Sequence, residues 1–229
     1  MKQLASTYFL PEPAKSRAVR PIPRASQGHF VGEFVFGVEK PQRVGFASLL
    51  EFKTALCTVY RPGFVDLEEQ IAPVAFRKPN GDIGHHYLDY RATFRNGLRI
   101  GIAVKPSHIA VRQKFRTEMP AVAKSAVPTT VDKVAIVTER NIHPVDFFNA
   151  TLFHAARRPV PEEDEVIGEL RERLRSPAPV GHLLDEGRQD GVTLFGVARA
   201  IHRGSFTLLR KERIHPSALI AANDLGRAA

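Results

Sequence analysis

The sequence predicts a mixed α/β domain followed by a small helical unit. Three observations point there. Two alternating segments flank Asn96-Gly97 and read as an antiparallel hairpin. Segments with helical spacing stand on either side of it, from Ala47 to Tyr60 and over much of His108 to Ala126. The apolar run Lys133-Val134-Ala135-Ile136-Val137-Thr138 then reads as a compact buried strand. Helix, hairpin, crossover helix and strand in that order fit a mixed sheet with helices on its faces.

In chain order, residues 1–28 hold Pro11, Pro13, Pro21 and Pro23 among Lys15, Arg17, Arg20 and Arg24, and read as a basic extended arm. Such an arm suits a DNA backbone, a docking partner or a disordered tail. A strand is expected at Phe30–Phe36. The first helix carries an apolar stripe of Phe46, Leu49, Leu50, Leu56, Cys57 and Tyr60, and Pro62-Gly63 ends it. Val74–Lys78 is a candidate strand closed by the turn Pro79-Asn80-Gly81-Asp82. The hairpin follows, and Pro120 is expected to kink or split the helix after it.

The texture changes near Pro159, so residues 29–158 read as one domain and 159–229 as another. Pro161-Glu162-Glu163-Asp164-Glu165 places acid at a helix start, where the helix dipole favours it. Leu183-Leu184 precede Gly187; Val192–Ile201 is apolar at Leu194, Val197, Ala198 and Ile201 and stops at Gly204; Ser205–Leu209 reads as a strand. Three short helices and a strand resemble a winged-helix unit, suited to protein contact or weak DNA binding.

Alternation fixes the hairpin register. A two-residue Asn-Gly loop would pair Phe94 with Arg99 and Leu88 with Lys105, mixing apolar and polar faces. A three-residue loop, Arg95-Asn96-Gly97 with Gly97 left-handed, repairs every pair. Phe94 then faces Leu98, Tyr90 faces Ile102, and Leu88 faces Val104. On the other, polar face Asp89 opposes Ala103, with Lys105 its diagonal neighbour. A surface hairpin with a charged outer face fits the same pattern.

Lys and Arg exceed Asp and Glu by 33 to 24. The excess is 7 to 3 in residues 1–45 and 14 to 9 in residues 46–140, while residues 141–229 balance at 12 each. The basic part is therefore the part with the hairpin. That suggests a polyanionic partner such as DNA, although plain solubility also accounts for a charge of this size. Neither a membrane-spanning run nor a signal-peptide pattern is present. The lone Cys57 allows no intrachain disulfide, which suits a cytoplasmic location. No His/Cys pattern has zinc spacing, and neither a phosphate-cradling glycine loop nor a nucleophile elbow occurs.

Phosphodiester hydrolysis needs a metal to polarise phosphate oxygens and activate water, with a cation beside it. Asp89 and Lys105 supply two of these parts. Glu51, off the apolar stripe of its helix, is a candidate third part or a solvated surface group. His86 lies three residues before Asp89.

Between about Arg43 and Thr138 these residues resemble the PD-(D/E)xK nucleases, and specifically the TnsA-like endonucleases of cut-and-paste transposons. The likeness runs through Ser48-Leu49-Leu50-Glu51, Glu69-Gln70, Asp89, Ile102-Ala103-Val104-Lys105-Pro106 and Val137-Thr138-Glu139. It implies a restriction-endonuclease-like fold and Mg2+- or Mn2+-dependent cleavage of DNA beside a transposase. It also implies Asp89 and Glu51 as metal ligands and Lys105 as the residue that positions the nucleophile. His86 stands at a position where the family often has an aromatic residue or histidine, which implies that it lines the cleft. Ala103 departs from the family, which has Glu or Gln there and gains an oxygen from it; the backbone carbonyl beside it and compensation by Glu69 or Gln70 are the alternatives the sequence leaves open. Leu88 replaces the family's proline. Two functions follow as expectations: a metal-dependent DNA endonuclease, or an impaired nuclease fold kept as a DNA-binding, scaffolding or regulatory module.

Overall fold

The computed structural model describes residues 11–20 and 30–223. The rest of the basic arm, including Pro21, Pro23 and Arg24, lies outside them. The elements are β1 (Gly32–Phe36), β2 (Gln42–Phe46), α1 (Leu49–Val59), β3 (Phe64–Glu69), β4 (Val74–Arg77), β5 (Ile83–His86), β6 (Tyr90–Phe94) and β7 (Arg99–Val104). They continue with α2 (Ser107–Ala110), α3 (Gln113–Ala126), β8 (Lys133–Val137), α4 (Pro144–Ala155), α5 (Pro161–Arg173), β9 (Ala178–Pro179), α6 (Val180–Glu186), α7 (Leu194–His202), β10 (Phe206–Leu208) and β11 (Leu219–Ala222). The protein is thus mixed α/β. Two compact units divide the chain: residues 1–52 with 65–136, and residues 53–64 with 137–229.

In the first unit the strands β3-β6-β7-β8 form one sheet in that order, and β1/β2 and β4/β5 are antiparallel hairpins. Hydrophobic burial organises two sides. On one, Phe30, Phe46 and Phe52 interlock, with ring centroids 5.6 Å apart for Phe30–Phe46 and 4.9 Å for Phe46–Phe52. On the other, Ile71, Val74, Phe76, Leu88, Ala103, Met119, Val122, Ala126 and Val131 form an apolar cluster beneath α3, which packs on β4. Gly101 is required here. A Cβ at that position would lie 2.6 Å from Leu88 Cδ1 and 3.1 Å from Val131 Cγ1.

Two local expectations are corrected. Pro120 neither ends nor splits its helix: α3 runs through it, and the break falls earlier, at Val111–Arg112. Pro120 is exposed, so water can satisfy the carbonyl one turn back that its missing N–H leaves free. In α1, Leu49 of the expected stripe is exposed, and the buried residues are Thr54, Ala55, Leu56, Thr58 and Val59. The described part of the arm is docked on its own unit. Ala14 bridges to Gln42, and Arg17 makes two bonds to Asp66, at 2.8 and 2.7 Å.

In the second unit, α5, α6 and α7 surround a sheet of order β10-β11-β9. Its core includes Ile167, Leu170, Leu183, Val197, Phe206 and Ile220. Thr193 caps α7 by accepting the Gly196 N–H at 3.2 Å. Buried Arg199 meets Glu163 and Asp164, each at 2.6 Å, and Glu163 also accepts the Thr193 hydroxyl. This ion cluster leaves none of those charges uncompensated. No described helix is long and apolar enough to cross a membrane.

Candidate active site

The site begins with the hairpin turn. Gly97 has φ +80, which a residue with a Cβ rarely adopts, and its N–H donates to the Phe94 carbonyl at 2.9 Å. The Phe94 N–H donates to the Leu98 carbonyl at 3.0 Å, and Asn96 Oδ1 accepts the Leu98 N–H at 3.1 Å. Tyr90 pairs with Ile102, Arg91 with Gly101, Ala92 with Ile100 and Thr93 with Arg99. This is the register the three-residue loop demands, and continuing it sets Asp89 opposite Ala103.

The side-chain faces change at Asp89. The chain bends there and the strand starts only at Tyr90. Asp89 Oδ2 accepts the Val104 N–H at 2.7 Å, and the Asp89 carbonyl accepts the Gln70 N–H at 2.8 Å. The bend carries Leu88 to the Gly101–Ala103 side, into the apolar cluster. Leu88 therefore does not share a face with Tyr90. Ala103 lies at 0 % exposure among apolar side chains, not on a polar face. Burial on both sides of β7, from Gly101 to Val104, is the physical reason: no solvated face exists at this end of the strand.

Lys105 follows β7 and brings its Nζ to 3.8 Å from Asp89 Oδ2. Glu51 sits in the first turn of α1 and is held by a reciprocal cap. Its N–H donates to Ser48 Oγ at 3.1 Å, the Ser48 hydroxyl donates to Oε1 at 3.1 Å, and the Ala47 N–H donates to Oε2 at 2.9 Å. Burial pushes the Glu51 carboxyl upward, and the Asp89 charge adds to that; the Ala47 N–H, the Ser48 hydroxyl and Lys105 oppose it. Glu51 thus caps a helix and also feels the charges of Asp89 and Lys105.

The sequence-predicted supporting residues converge on the same place. Gln70 directly follows β3 at φ +43, is 4 % exposed, and donates from Nε2 to Asp89 Oδ1 at 3.3 Å. His86 ends β5; burial lowers its imidazole, Lys105 lowers it further, and Asp89 and Glu118 act in the opposite direction. Tyr90 is pushed well above the usual phenol range by burial first, then by Glu51, Asp89 and Glu69. Glu118, on α3, and Tyr90 escaped the sequence reading. Only the fold brings Glu118 here, whereas Tyr90 adjoins Asp89 in the chain but reads there as the core-facing partner of Ile102.

Three buried atoms in this region have no hydrogen-bond partner: Glu69 Oε2, Gln70 Oε1 and His86 Nε2. A buried polar atom without a partner is costly, and each calls for an explanation. Among the described residues no group of three or more His, Cys, Asp or Glu side chains stands ready to hold a metal ion. The donor chemistry nonetheless fits a hard divalent cation. Asp89, Glu51 and Gln70 are all oxygen donors, with Lys105 beside Asp89. Ala103 contributes none. No family model matches the chain, and no curated protein matches it.

Proposed function

We propose that this protein is a DNA-acting member of the PD-(D/E)xK nuclease kind, TnsA-like, with a restriction-endonuclease-like first unit that hydrolyses phosphodiesters with Mg2+ or Mn2+. The observation that carries the reading is the pairing of Asp89 and Lys105, 3.8 Å apart at the open end of the β6/β7 hairpin, with Glu51 from the first turn of α1 close enough for both charges to act on it. A generic charged hairpin has no reason to bring a helix glutamate to its aspartate. Asp89 and Glu51 are the residues that would hold the metal, which when bound polarises a phosphate oxygen and lowers the pKa of the attacking water. Lys105 would neutralise charge that grows on the phosphate and orient the nucleophile. Glu51, raised by burial, would hold the attacking water.

DNA would bind mainly through phosphates. Arg112, Lys114, Arg116 and Lys124 on or beside α3 are exposed. In the second unit, the order helix, short strand, two helices and two strands, with β11 central, supports a winged-helix-like module. The transposase partner, the mobile-element setting and the cytoplasmic location rest on the resemblance alone.

A specific observation favours a second reading, in which the fold binds DNA or scaffolds without cutting. Ala103 is apolar and fully buried, and both Asp89 oxygens are occupied by internal donors. One experiment separates the two: nicking of supercoiled plasmid with Mg2+ or Mn2+ by the wild type, Asp89→Asn and Lys105→Met. The endonuclease reading expects metal-dependent nicking that falls at least a hundredfold in both variants. Wild-type DNA binding without any nicking selects the scaffold, and nicking that survives Asp89→Asn removes the site.

A further inference from the structure

We propose that Gln70, the residue after β3, takes over what Ala103 lacks: it fixes the Asp89 carboxylate and offers its own amide oxygen to the same divalent cation. The proposal rests on the nuclease reading above and deepens it. Four observations support it.

First, Gln70 is the one non-glycine residue with positive φ among the described residues, at +43. A residue with a side chain stays in that conformation only where its surroundings over-determine it, and such residues cluster at functional sites.

Second, those surroundings are Asp89 itself. The Gln70 N–H donates to the Asp89 carbonyl at 2.8 Å and its Nε2 to Asp89 Oδ1 at 3.3 Å. The Val19 N–H of the docked arm donates to the Gln70 carbonyl at 3.1 Å. Backbone and side chain together bind Gln70 to the aspartate.

Third, its remaining polar atom is unspent. Oε1 is buried, without a partner, in a residue 4 % exposed. It belongs to the same planar amide whose Nε2 is held on Asp89 Oδ1. Neighbouring Glu69, 1 % exposed, also keeps Oε2 unpartnered while Ser16 donates to Oε1.

Fourth, the strand position opposite Asp89 is closed. Ala103 is packed among Leu88, Val122 and Val131, so no donor is supplied from that side. An amide oxygen is an acceptable ligand for Mg2+ or Mn2+, and it leaves the net charge of the site unchanged.

The test is calorimetric titration of MnCl2 alone into the full chain, with thermal unfolding measured for every variant. Glycine tolerates φ +43 at no steric cost, so Gln70→Gly keeps the backbone bonds to Asp89 and Val19 while deleting the amide. Gln70→Glu keeps the reach and adds a charge, and Asp89→Asn is the control that removes the principal ligand. The proposal expects Gln70→Gly to bind Mn2+ at least tenfold more weakly than wild type at an unchanged or higher unfolding temperature. It expects Gln70→Glu to bind about tenfold more tightly. Wild-type affinity in both Gln70 variants, together with loss of binding in Asp89→Asn, overturns this proposal and leaves the metal reading standing. Absence of Mn2+ heat from both the wild type and Gln70→Glu overturns the metal reading and this proposal with it.

Discussion

The backbone N–H of Val104 donates to Asp89 Oδ2 at 2.7 Å, so a carboxylate side chain satisfies the last donor of β7. Asp89 therefore has a structural role of its own. Asp89→Ala orphans a buried N–H and is expected to lower unfolding free energy by about 1–3 kcal/mol. Asp89→Asn retains an acceptor and is expected to lose clearly less. Urea denaturation of the two variants checks this. Equal stability of Asp89→Ala and wild type would show that the Val104 bond contributes nothing.

The burial of Ala103 reverses a simple sequence expectation. Ala103→Glu, which installs the acid found in the nucleases the sequence resembles, looks from sequence like a way to raise metal affinity. In the fold it inserts a carboxylate among Leu88, Val122 and Val131. The expected result is a loss of roughly 3–5 kcal/mol, the range for burying an unpaired charge in a core. A variant as stable as wild type with tighter Mn2+ binding would show that this side of β7 opens to the site.

In the second unit the Tyr60 hydroxyl lies 3.0 Å from His154 Nδ1. Burial, and then the Arg157 charge, lower the His154 imidazole to about 4, and burial raises Tyr60 to about 12. The folded state thus holds His154 neutral while the unfolded chain takes up a proton near pH 6.5. Between those values the unfolded state binds more protons, so stability falls as pH drops from 6.5 toward 4. With partial exposure screening the effect, His154 is expected to account for on the order of 1 kcal/mol of that fall. Thermal melts at pH 7.5 and 4.5 should show a smaller pH difference in His154→Gln than in wild type. An identical difference would exclude His154 as the titrating group.

The exposed bases on and beside α3 give the DNA reading a quantitative test. Replacing Arg112, Lys114, Arg116 and Lys124 by Ala is expected to weaken DNA binding across sequences. It should also flatten the dependence of log affinity on log salt by about 0.9 for each phosphate that is no longer neutralised. Fluorescence anisotropy between 50 and 200 mM salt measures both. An unaltered slope would move the DNA surface elsewhere.

Much of the hairpin and of the start of α1 is legible in the sequence, because local rules govern them. Alternation and the left-handed need of Gly97 settled the hairpin register, and the Ser48–Glu51 spacing marked the start of α1. What stayed hidden depends on non-local packing. The bend at Asp89 comes from Gln70 and Val104, 19 and 15 residues away in sequence, and it moves Leu88 across the sheet. Strands β2, β3 and β5 lack a long apolar alternation, and β9 and β11 are short pieces that exist through their partners. Glu118 joins the site through the packing of α3 on β4, which no spacing in the chain encodes.

The central claim is that Asp89 anchors a divalent cation. Anomalous diffraction from a crystal soaked in MnCl2 tests it most directly. One Mn2+ peak is expected within about 2.5 Å of an Asp89 carboxylate oxygen, with Gln70 Oε1 or a Glu51 oxygen on the same ion. A fully soaked crystal with no peak at Asp89 would contradict it.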